Sequence, residues 1–563
     1  LIAAAVGVGV GMLGILATAS ITDINFTTPV LAVMIGLAVG IDYALFIVSR
    51  AREYLADGVD PAEAAGRATA TSGGAVVFAG TTVIVALCGL SVAGIRFLTT
   101  MGLASAAVVA VAVLVALTVV PALIGILGKR LLPRRRRTAD GGADAERRPA
   151  SLWVRAVTRR PWVTIGAVVV LLGLCAVPAS GLRLALTDNG FAEKGSQQRE
   201  TYDAVAAAYG KGYNSPIIVI ADVSQPSGSV AAVQGLAQEL SQLDGVEGVS
   251  LATPNQDGTL AFVQIRPEKS QADPATMELV RSIRSHADDY ESRYGLADLM
   301  VTGQTAVAID IAEELNAALV PFGIVVVGLS LILLMVVFRS VAAPLTATLG
   351  YLLSLGAGMG AVGAVFGWGW AADLLAVSKV GAVISFLPVV VMGVLFGLAM
   401  DYQVFLVSRM REEWNRRRGG ATPAARHEAA AVAVKAGFLG SAKVVAAAAV
   451  IMTGVFVAFV HTDNVYVKPI ALGLTVGIAA DAFLVRMTLI PAIMVALGEK
   501  AWWLPAWLDR LLPVVDVEGE SLEQVLEQEE ADAGQSVRPE TDSVDDQAED
   551  AEDAEDKEAA VVS

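Results

Sequence analysis

The segment GLAMDYQVFLVSR, residues 397–409, places Asp401 and Tyr402 inside an apolar run, eight residues before an arginine. A near-copy of it, GLAVGIDYALFIVSR, occupies residues 36–50 and repeats both polar residues as Asp42 and Tyr43. The chain therefore contains an internal repeat, and each copy places a carboxylate inside an apolar segment.

The composition is typical of a polytopic membrane protein. The 563 residues are 55% hydrophobic with a mean hydropathy of +0.62, and many apolar runs reach the roughly 20 residues needed to cross about 30 Å of hydrocarbon. We predict an α-helical membrane protein with ten spans near 1–20, 28–49, 71–93, 98–128, 161–181, 317–338, 343–366, 381–408, 437–460 and 469–497.

Basic residues set the predicted orientation. The loop that follows the span ending at 128 contains RRRR at 134–137, and the segment 409–435 contains RRR at 416–418. Loops rich in Lys and Arg remain on the cytoplasmic side. Alternation from these loops places the polar segment 182–316, called the outer domain below, on the extracytoplasmic side.

The outer domain has a mixed pattern. PIIVIAD (216–222), TLAFVQIRP (259–267) and DLMVTG (298–303) are typical of strands, and helical patterns lie near 228–243 and 273–290. This alternation of strands and helices predicts a small α+β domain that resembles a split βαβ unit.

The predicted units follow from these patterns. They are a first membrane repeat of four helices (1–128), a basic cytoplasmic linker (129–160), a helix opening the second repeat (161–181), the outer domain (182–316), a five-helix bundle (317–497), an interfacial amphipathic segment (498–513) and an acidic tail (514–563).

The acidic tail accounts for the charge of the chain. The formal net charge is −16, but residues 514–563 carry 19 acidic and 2 basic side chains, so the rest of the chain nets +1. A segment with this composition cannot bury enough apolar surface to offset its ordering entropy, and we expect it to be disordered and cytoplasmic. Its charge therefore says nothing about a site, and we expect no nucleic-acid partner.

Cofactor and metal chemistry have no support in the sequence. The two cysteines, Cys88 and Cys175, both lie in apolar runs, and the three histidines are isolated. No GxxxxGK[ST] phosphate loop occurs, which argues against ATP as the energy source. We expect neither a metal nor a cofactor.

The repeated motifs carry a resemblance to a known family. GIDYALFIVSR, GLAMDYQVFLVSR and the helix ends TVVPA and TLIPA, in the observed helix order, resemble the MmpL-type branch of the resistance-nodulation-division (RND) transporters. The resemblance covers nearly all of the chain except the tail. It implies twelve helices, two outer porter domains, a bacterial cytoplasmic membrane location and proton-driven export, often of lipids or other hydrophobic molecules. It leaves oligomers and accessory proteins open as partners.

The resemblance also assigns residues and exposes a difference. It implies that the two Asp-Tyr pairs face each other within the membrane and relay protons through Asp42, Tyr43, Asp401 and Tyr402. The first repeat lacks counterparts of the helix 161–181, of the outer domain and of the helix 317–338, and residue 1 is Leu. We therefore expect the sequence to lack an amino-terminal portion.

The physical chemistry of the aspartates agrees with a proton site. An ionised aspartate near the bilayer centre costs about 2.5–3.5 kcal/mol on insertion scales, and such residues face the bundle interior. Each aspartate precedes its arginine by eight residues, which places both at a similar depth. Burial makes protonation of a carboxyl easier, and a phenol can hydrogen-bond to either form. A purely structural, hydrogen-bonded aspartate is the alternative.

Further polar residues lie in the spans. Thr81 and Thr82 fall at the depth of the aspartates, where they extend the relay or bond back to their own helix. Asp481 and Arg486 in the last span are five residues apart and point about 140° from each other on an ideal helix. We therefore expect them to have other partners, in support of the proton site or for charge compensation.

Two other function classes are alternatives to transport. Two intramembrane aspartates also occur in aspartyl proteases, but the GxGD motif of such membrane enzymes is absent from both copies, and we expect no enzymatic activity. A non-transporting lipid-binding or scaffold protein of related fold is the second alternative. The intact Asp and Tyr of both copies favour transport.

Overall fold

Helices dominate the fold because a chain that crosses a bilayer must satisfy its backbone hydrogen bonds within each segment. The computed structural model describes residues 1–132, 142–223, 228–418 and 426–512, and the side chains at 142–149 and of Asp401 are outside that description. The prediction for the acidic tail also lies outside the described residues.

The membrane part contains two sets of helices. In the first repeat they are α1 (Ile2–Thr18), α2 (Thr27–Ala56), α3 (Pro61–Cys88) and α4 (Arg96–Leu127). In the second they are α6 (Pro161–Ala176), α11 (Gln304–Phe338), α12 (Ala342–Val362), α13 (Leu387–Arg418), α14 (Arg426–Val460), α15 (Val467–Ala479) and α16 (Ile490–Leu497). A π-helical segment, Ala480–Leu489, joins α15 to α16.

The count of spans differs slightly from the prediction. Nine helices of the described chain are long and apolar enough to cross a membrane, whereas Ile2–Thr18, the first predicted span, is a shorter apolar helix. The predicted linker 129–160 contains a helix, α5 (Gly142–Arg159). Helix α11 begins at Gln304, so the predicted boundary at 316 falls inside one continuous helix.

The two repeats pack against each other through equivalent pairs of helices. Helix α2 of the first repeat packs against α14 of the second, and α13 packs against α3 in the corresponding way. At this junction the rings of Phe46 and Phe405, which are equivalent in the two motifs, stack with centroids 4.2 Å apart. The helices that carry the Asp-Tyr motifs therefore meet where the repeats join.

The outer domain has the predicted α+β character. Its helices are α7 (Gln197–Tyr209), α8 (Ser229–Leu240), α9 (Pro274–Ser285) and α10 (Ala287–Tyr294). Its four-stranded antiparallel sheet has the order β3-β4-β2-β5, formed by β2 (Ile217–Val223), β3 (Val246–Pro254), β4 (Leu260–Pro267) and β5 (Leu296–Thr302). The chain order βαββαβ is that of the split βαβ unit.

Several details of the outer domain were not predicted. Helix α7 has no counterpart in the prediction, and the helix expected near 273–290 is interrupted at His286. Strand β3 was missed because it is a largely exposed edge strand without regular alternation. At the base of the domain, β1 (Arg183–Ala185) pairs in parallel with β6 (Ala382–Ile384), which precedes α13. This pairing ties the outer domain to the membrane bundle.

The last helix of the described chain is α17 (Ala506–Leu511).

Candidate functional site

The Asp42 carboxyl is buried at the junction of the two repeats. It lies on α2 with 3% of the residue exposed, and its Oδ1 has no hydrogen-bond partner among the described residues. The Tyr402 hydroxyl is its hydrogen-bonding neighbour, and the Arg486 guanidinium interacts with its charge. Both of these groups belong to the second repeat. The acid of one copy is therefore surrounded by polar groups of the other.

Tyr402 connects this acid to a cation. The guanidinium carbon of Arg486 lies 5.2 Å from the centroid of the Tyr402 ring, a distance at which the face of an aromatic ring attracts a cation. The Tyr402 hydroxyl also donates to Sδ of Met452 at 2.7 Å. The ring of Phe46, from the first motif, lies 6.0 Å away. Tyr402 is thus held between helices of both repeats.

Asp481 and Arg486 form a direct ion pair, which corrects the expectation that they point apart. Nε of Arg486 lies 2.5 Å from Oδ2 of Asp481, and both residues are buried, with 1% and 5% exposed. The cause is the π-helical segment Ala480–Leu489. A π-helix bonds residue i to i+5, so residues five apart lie one turn above each other on the same face.

The ion pair has few further hydrogen bonds. Nη2 of Arg486 donates to the backbone carbonyl of Ala399 on α13, and Oγ of Ser354 on α12 donates to Oδ1 of Asp481 at 3.3 Å. Within the described residues, Nε and Nη1 of Arg486 make no well-aligned hydrogen bond, although Nε lies in ion-pair contact with Asp481. A guanidinium with unused donors can respond to a second acid.

A small polar cavity adjoins the ion pair. It is lined by Asp481 and Arg486 together with Ser330, Tyr351 and Gln403, and it has room for about one water molecule. Nε2 of Gln403 is buried and has no partner among the described residues. A water in this cavity would find several polar groups to bond.

The remaining predicted residues differ in their placement. Tyr43 is buried, with its ring beside Gly80 on α3. The Asp401 side chain is outside the described residues, although its backbone is part of α13. Thr81 is exposed and donates to the carbonyl of Val77 at 2.8 Å, and Thr82 is buried and donates to that of Ala79 at 2.6 Å. Both threonines therefore bond back to their own helix.

Four polar contributors were missed from the sequence. They are Ser330, Tyr351, Ser354 and Gln403, which lie in apolar spans, and Gln403 directly follows the Asp-Tyr pair. A polar side chain in the middle of a span was the available signal, but the sequence does not show which of them share a cavity.

Comparison with known proteins assigns the chain to a family. A profile of the MMPL family matches residues 1–164 and 193–513. The chain belongs to the MMPL family. This confirms the resemblance from which the transporter fold was predicted, and with it the assignment to a multi-pass membrane protein of bacteria.

Individual relatives agree with the assignment. The chain is 39% identical to the membrane protein YdfJ of Bacillus subtilis over 530 residues, which are 94% of this chain and 71% of that protein. It is 32% identical to the mycolic acid-containing lipids exporter MmpL11 of Mycolicibacterium smegmatis, covering 86% of this chain and 50% of that one. The chain thus spans half the length of the MmpL11 exporter.

A solved structure supports the fold. The hedgehog release protein Disp from the water bear Hypsibius dujardini superposes with a TM-score of 0.52 at 12% identity, covering 84% of this chain and 64% of that chain. At this identity the similarity concerns the fold alone, which is that of a polytopic helical membrane protein.

Proposed function

We propose that the chain takes part in proton-driven export of lipids or other hydrophobic molecules across the bacterial cytoplasmic membrane. The observation that carries the proposal is the buried Asp42 carboxyl of the first repeat, which lies beside Tyr402 and Arg486 of the second. A carboxyl with an unused buried oxygen in a membrane bundle is a site where a proton can bind and leave.

The geometry links protonation to the contact between the repeats. When Asp42 is ionised, the guanidinium of Arg486 attracts it, and the attraction is strong where water is excluded. When Asp42 is protonated, this attraction is lost, although a hydrogen bond to Tyr402 remains available. Alternating access in transporters built from repeats requires one repeat to move against the other. Proton binding at Asp42 would bias that movement.

The proposed substrate class is hydrophobic. The MmpL11 relative is named as an exporter of mycolic acid-containing lipids, and the similarity to it covers 86% of this chain. Membrane lipids are the natural surroundings of such a substrate, and accessory proteins or further copies of the chain would be compatible with export. The proposal assigns no catalytic residue and no cofactor to the chain.

The test compares a buried aspartate of α2 with an exposed aspartate just beyond the end of the same helix. Asp42→Asn is introduced into the natural gene beside Asp57→Asn, which changes an exposed residue just beyond the cytoplasmic end of α2. An amide cannot release a proton, so we expect Asp42→Asn to abolish efflux that depends on the proton gradient at normal membrane abundance. Asp57→Asn should transport like the wild type.

Two readouts separate the outcomes. Efflux of a fluorescent lipid analogue reports export, and a pH dye inside proteoliposomes reports coupled proton movement. If Asp42→Asn retains both signals, the proton-site proposal is wrong. If the wild type shows neither signal but binds lipid, the result favours the non-transporting, lipid-binding alternative.

A further inference from the structure

A pocket lies where the outer domain meets the outer ends of the membrane helices. Its walls come from the segment before α7, from the connection between α12 and α13, and from the start of α15. Its empty volume of about 410 Å³ includes open solvent, so it is a partly open recess rather than an enclosed cavity. The polar groups of this pocket are separate from those of the junction between the repeats.

A buried lysine lines this pocket. Lys468 has 6% of its surface exposed, and its Nζ donates to the backbone carbonyls of Leu375 and Ala376, each at 3.0 Å. An ammonium has three donors, so two carbonyls leave one donor and do not neutralise the charge. Among the described residues, no carboxylate forms an ion pair with Lys468; Asp463 also lines the pocket, but makes no such contact. A buried charge is costly unless it is paired.

A second lysine adds positive charge to the same pocket. Nζ of Lys379 lies 4.2 Å from the centroid of the Phe191 ring, and both residues line the pocket. With Lys468 and Asp463 included, the lining carries a net charge of +1. The remaining wall is largely apolar and includes Phe366. The pocket thus offers cationic groups beside an aromatic surface.

The connection between α12 and α13 has an unusual backbone where it meets Lys468. Ala371 and Ala376 have φ values of 55° and 48°, a left-handed region that costs an alanine about 1–2 kcal/mol. The bond from Lys468 to the Ala376 carbonyl compensates for part of this cost. The lysine therefore has a structural role as well, and any test must separate the two roles.

We infer that this pocket binds the anionic headgroup of an amphiphile. A phosphate or carboxylate would contact Lys468 and Lys379, and the adjoining apolar group would lie along Phe191 and Phe366. The inference rests on the proposed export of hydrophobic molecules and narrows the substrate to amphiphiles with an anionic headgroup. Its site lies on the extracytoplasmic side, where a substrate would be received after leaving the membrane.

Binding to the purified protein tests the inference without a proton gradient. The protein is placed in nanodiscs of neutral phosphatidylcholine and titrated with soluble dihexanoyl phosphatidic acid. Dihexanoyl phosphatidylcholine and inorganic phosphate serve as the zwitterionic and the headgroup-only probes. Because no transport is measured, failure of binding and failure of the proposed function are separate results.

Three lysine variants identify the site. Lys468→Gln removes the charge but keeps a donor for the loop carbonyls, and Lys379→Gln leaves those carbonyl bonds intact. Lys211→Gln changes an exposed lysine elsewhere in the outer domain. We expect the first two to weaken binding of phosphatidic acid by about 10-fold or more, as for loss of a hydrogen bond to a charged group, and the third to leave it unchanged.

Several results would overturn the inference. Unchanged binding in Lys468→Gln overturns the inference, and so does equal affinity for phosphatidylcholine. Inorganic phosphate that binds as tightly as phosphatidic acid would show a simple anion site and overturn the assignment of an amphiphile. Hydrogen exchange of residues 367–381 reports whether the loop is intact. If Lys468→Gln increases hydrogen exchange of this loop, the result for Lys379→Gln takes precedence. Unchanged binding of phosphatidic acid by Lys379→Gln then overturns the inference.

Discussion

The ion pair in the π-helical segment predicts an unequal response to loss of its two members. In Arg486→Gln, Asp481 stays buried, and among the described residues it keeps only the hydrogen bond from Ser354. The same substitution removes the cation next to Asp42. Breaking a buried pair by removing one partner costs about 3–5 kcal/mol, so we expect a loss of that size in the free energy of unfolding. In Asp481→Asn, Arg486 keeps the Ala399 carbonyl and the charge of Asp42. We therefore expect Asp481→Asn to lower the free energy of unfolding by less than Arg486→Gln does.

The double variant makes the comparison quantitative. Asp481→Asn with Arg486→Gln leaves neither an unpaired acid nor a cation at this pair, so it should be more stable than Arg486→Gln alone. We expect a coupling energy of about 2 kcal/mol or more, because directly contacting charges are not additive. The measurement is reversible unfolding of the purified protein in mixed micelles, with all variants at the same pH.

An exposed ion pair provides the matched control. Arg339 and Asp509 approach to 2.6 Å outside the apolar spans, with the Asp509 side chain 54% exposed, and such pairs contribute about 0–1 kcal/mol. Asp509→Asn should therefore change stability little. Additive effects of the two buried substitutions, or equal costs for Asp481→Asn and Arg486→Gln, would refute the geometry in which Arg486 serves two acids.

Two further predictions concern packing and pH. A Cβ on Gly397 would lie 3.0 Å from the Val83 backbone, so Gly397→Leu should force α13 from α3 and cost about 1–3 kcal/mol in unfolding assays. Gly440→Leu, at a glycine with nothing within 4 Å, should be tolerated; equal losses would contradict the close contact. In the outer domain, the Tyr294 hydroxyl, followed by Arg293, lowers the pKa of Glu239. A lowered folded-state pKa stabilises the fold above the unfolded value of about 4.3, and this contribution is lost as pH falls through the lowered folded-state pKa. Glu239→Gln should therefore weaken hydrogen-exchange protection of α8 at neutral pH, and the difference from the wild type should shrink as pH is lowered; a difference that does not change with pH would count against this assignment.

Much of the membrane architecture follows from features that the sequence makes visible. Apolar length predicts the spans because it reflects bilayer thickness, and basic clusters predict the topology. The repeat predicts which residues share a depth, since each aspartate precedes the arginine at the end of its apolar run by eight residues. The α+β order of the outer domain was predictable because β2, β4 and β5 alternate or lie between turn signals.

The missed features depend on backbone geometry and on contacts between distant segments. The spacing of Asp481 and Arg486 predicts opposite directions on an α-helix, and only the π-helical backbone brings them together. The resemblance implies that the two Asp-Tyr pairs face each other, but position in the sequence does not show that the hydroxyl beside Asp42 belongs to Tyr402 rather than to Tyr43. Edge strand β3 has no periodic pattern because few of its side chains are buried.

The two repeats differ in the charged residues of their last helices, although the Asp-Tyr motif is duplicated. Asp481 and Arg486 occupy positions that are Val111 and Ala116 in the first repeat, where α4 is a regular helix rather than a π-helical segment. The second repeat therefore offers a guanidinium to Asp42, whereas these positions of the first repeat offer no charge in return. A charge on Asp42 acts across the junction on a cation that already holds Asp481. The asymmetry lies in the last helix of each repeat, and comparison of the Asp-Tyr motifs alone does not reveal it.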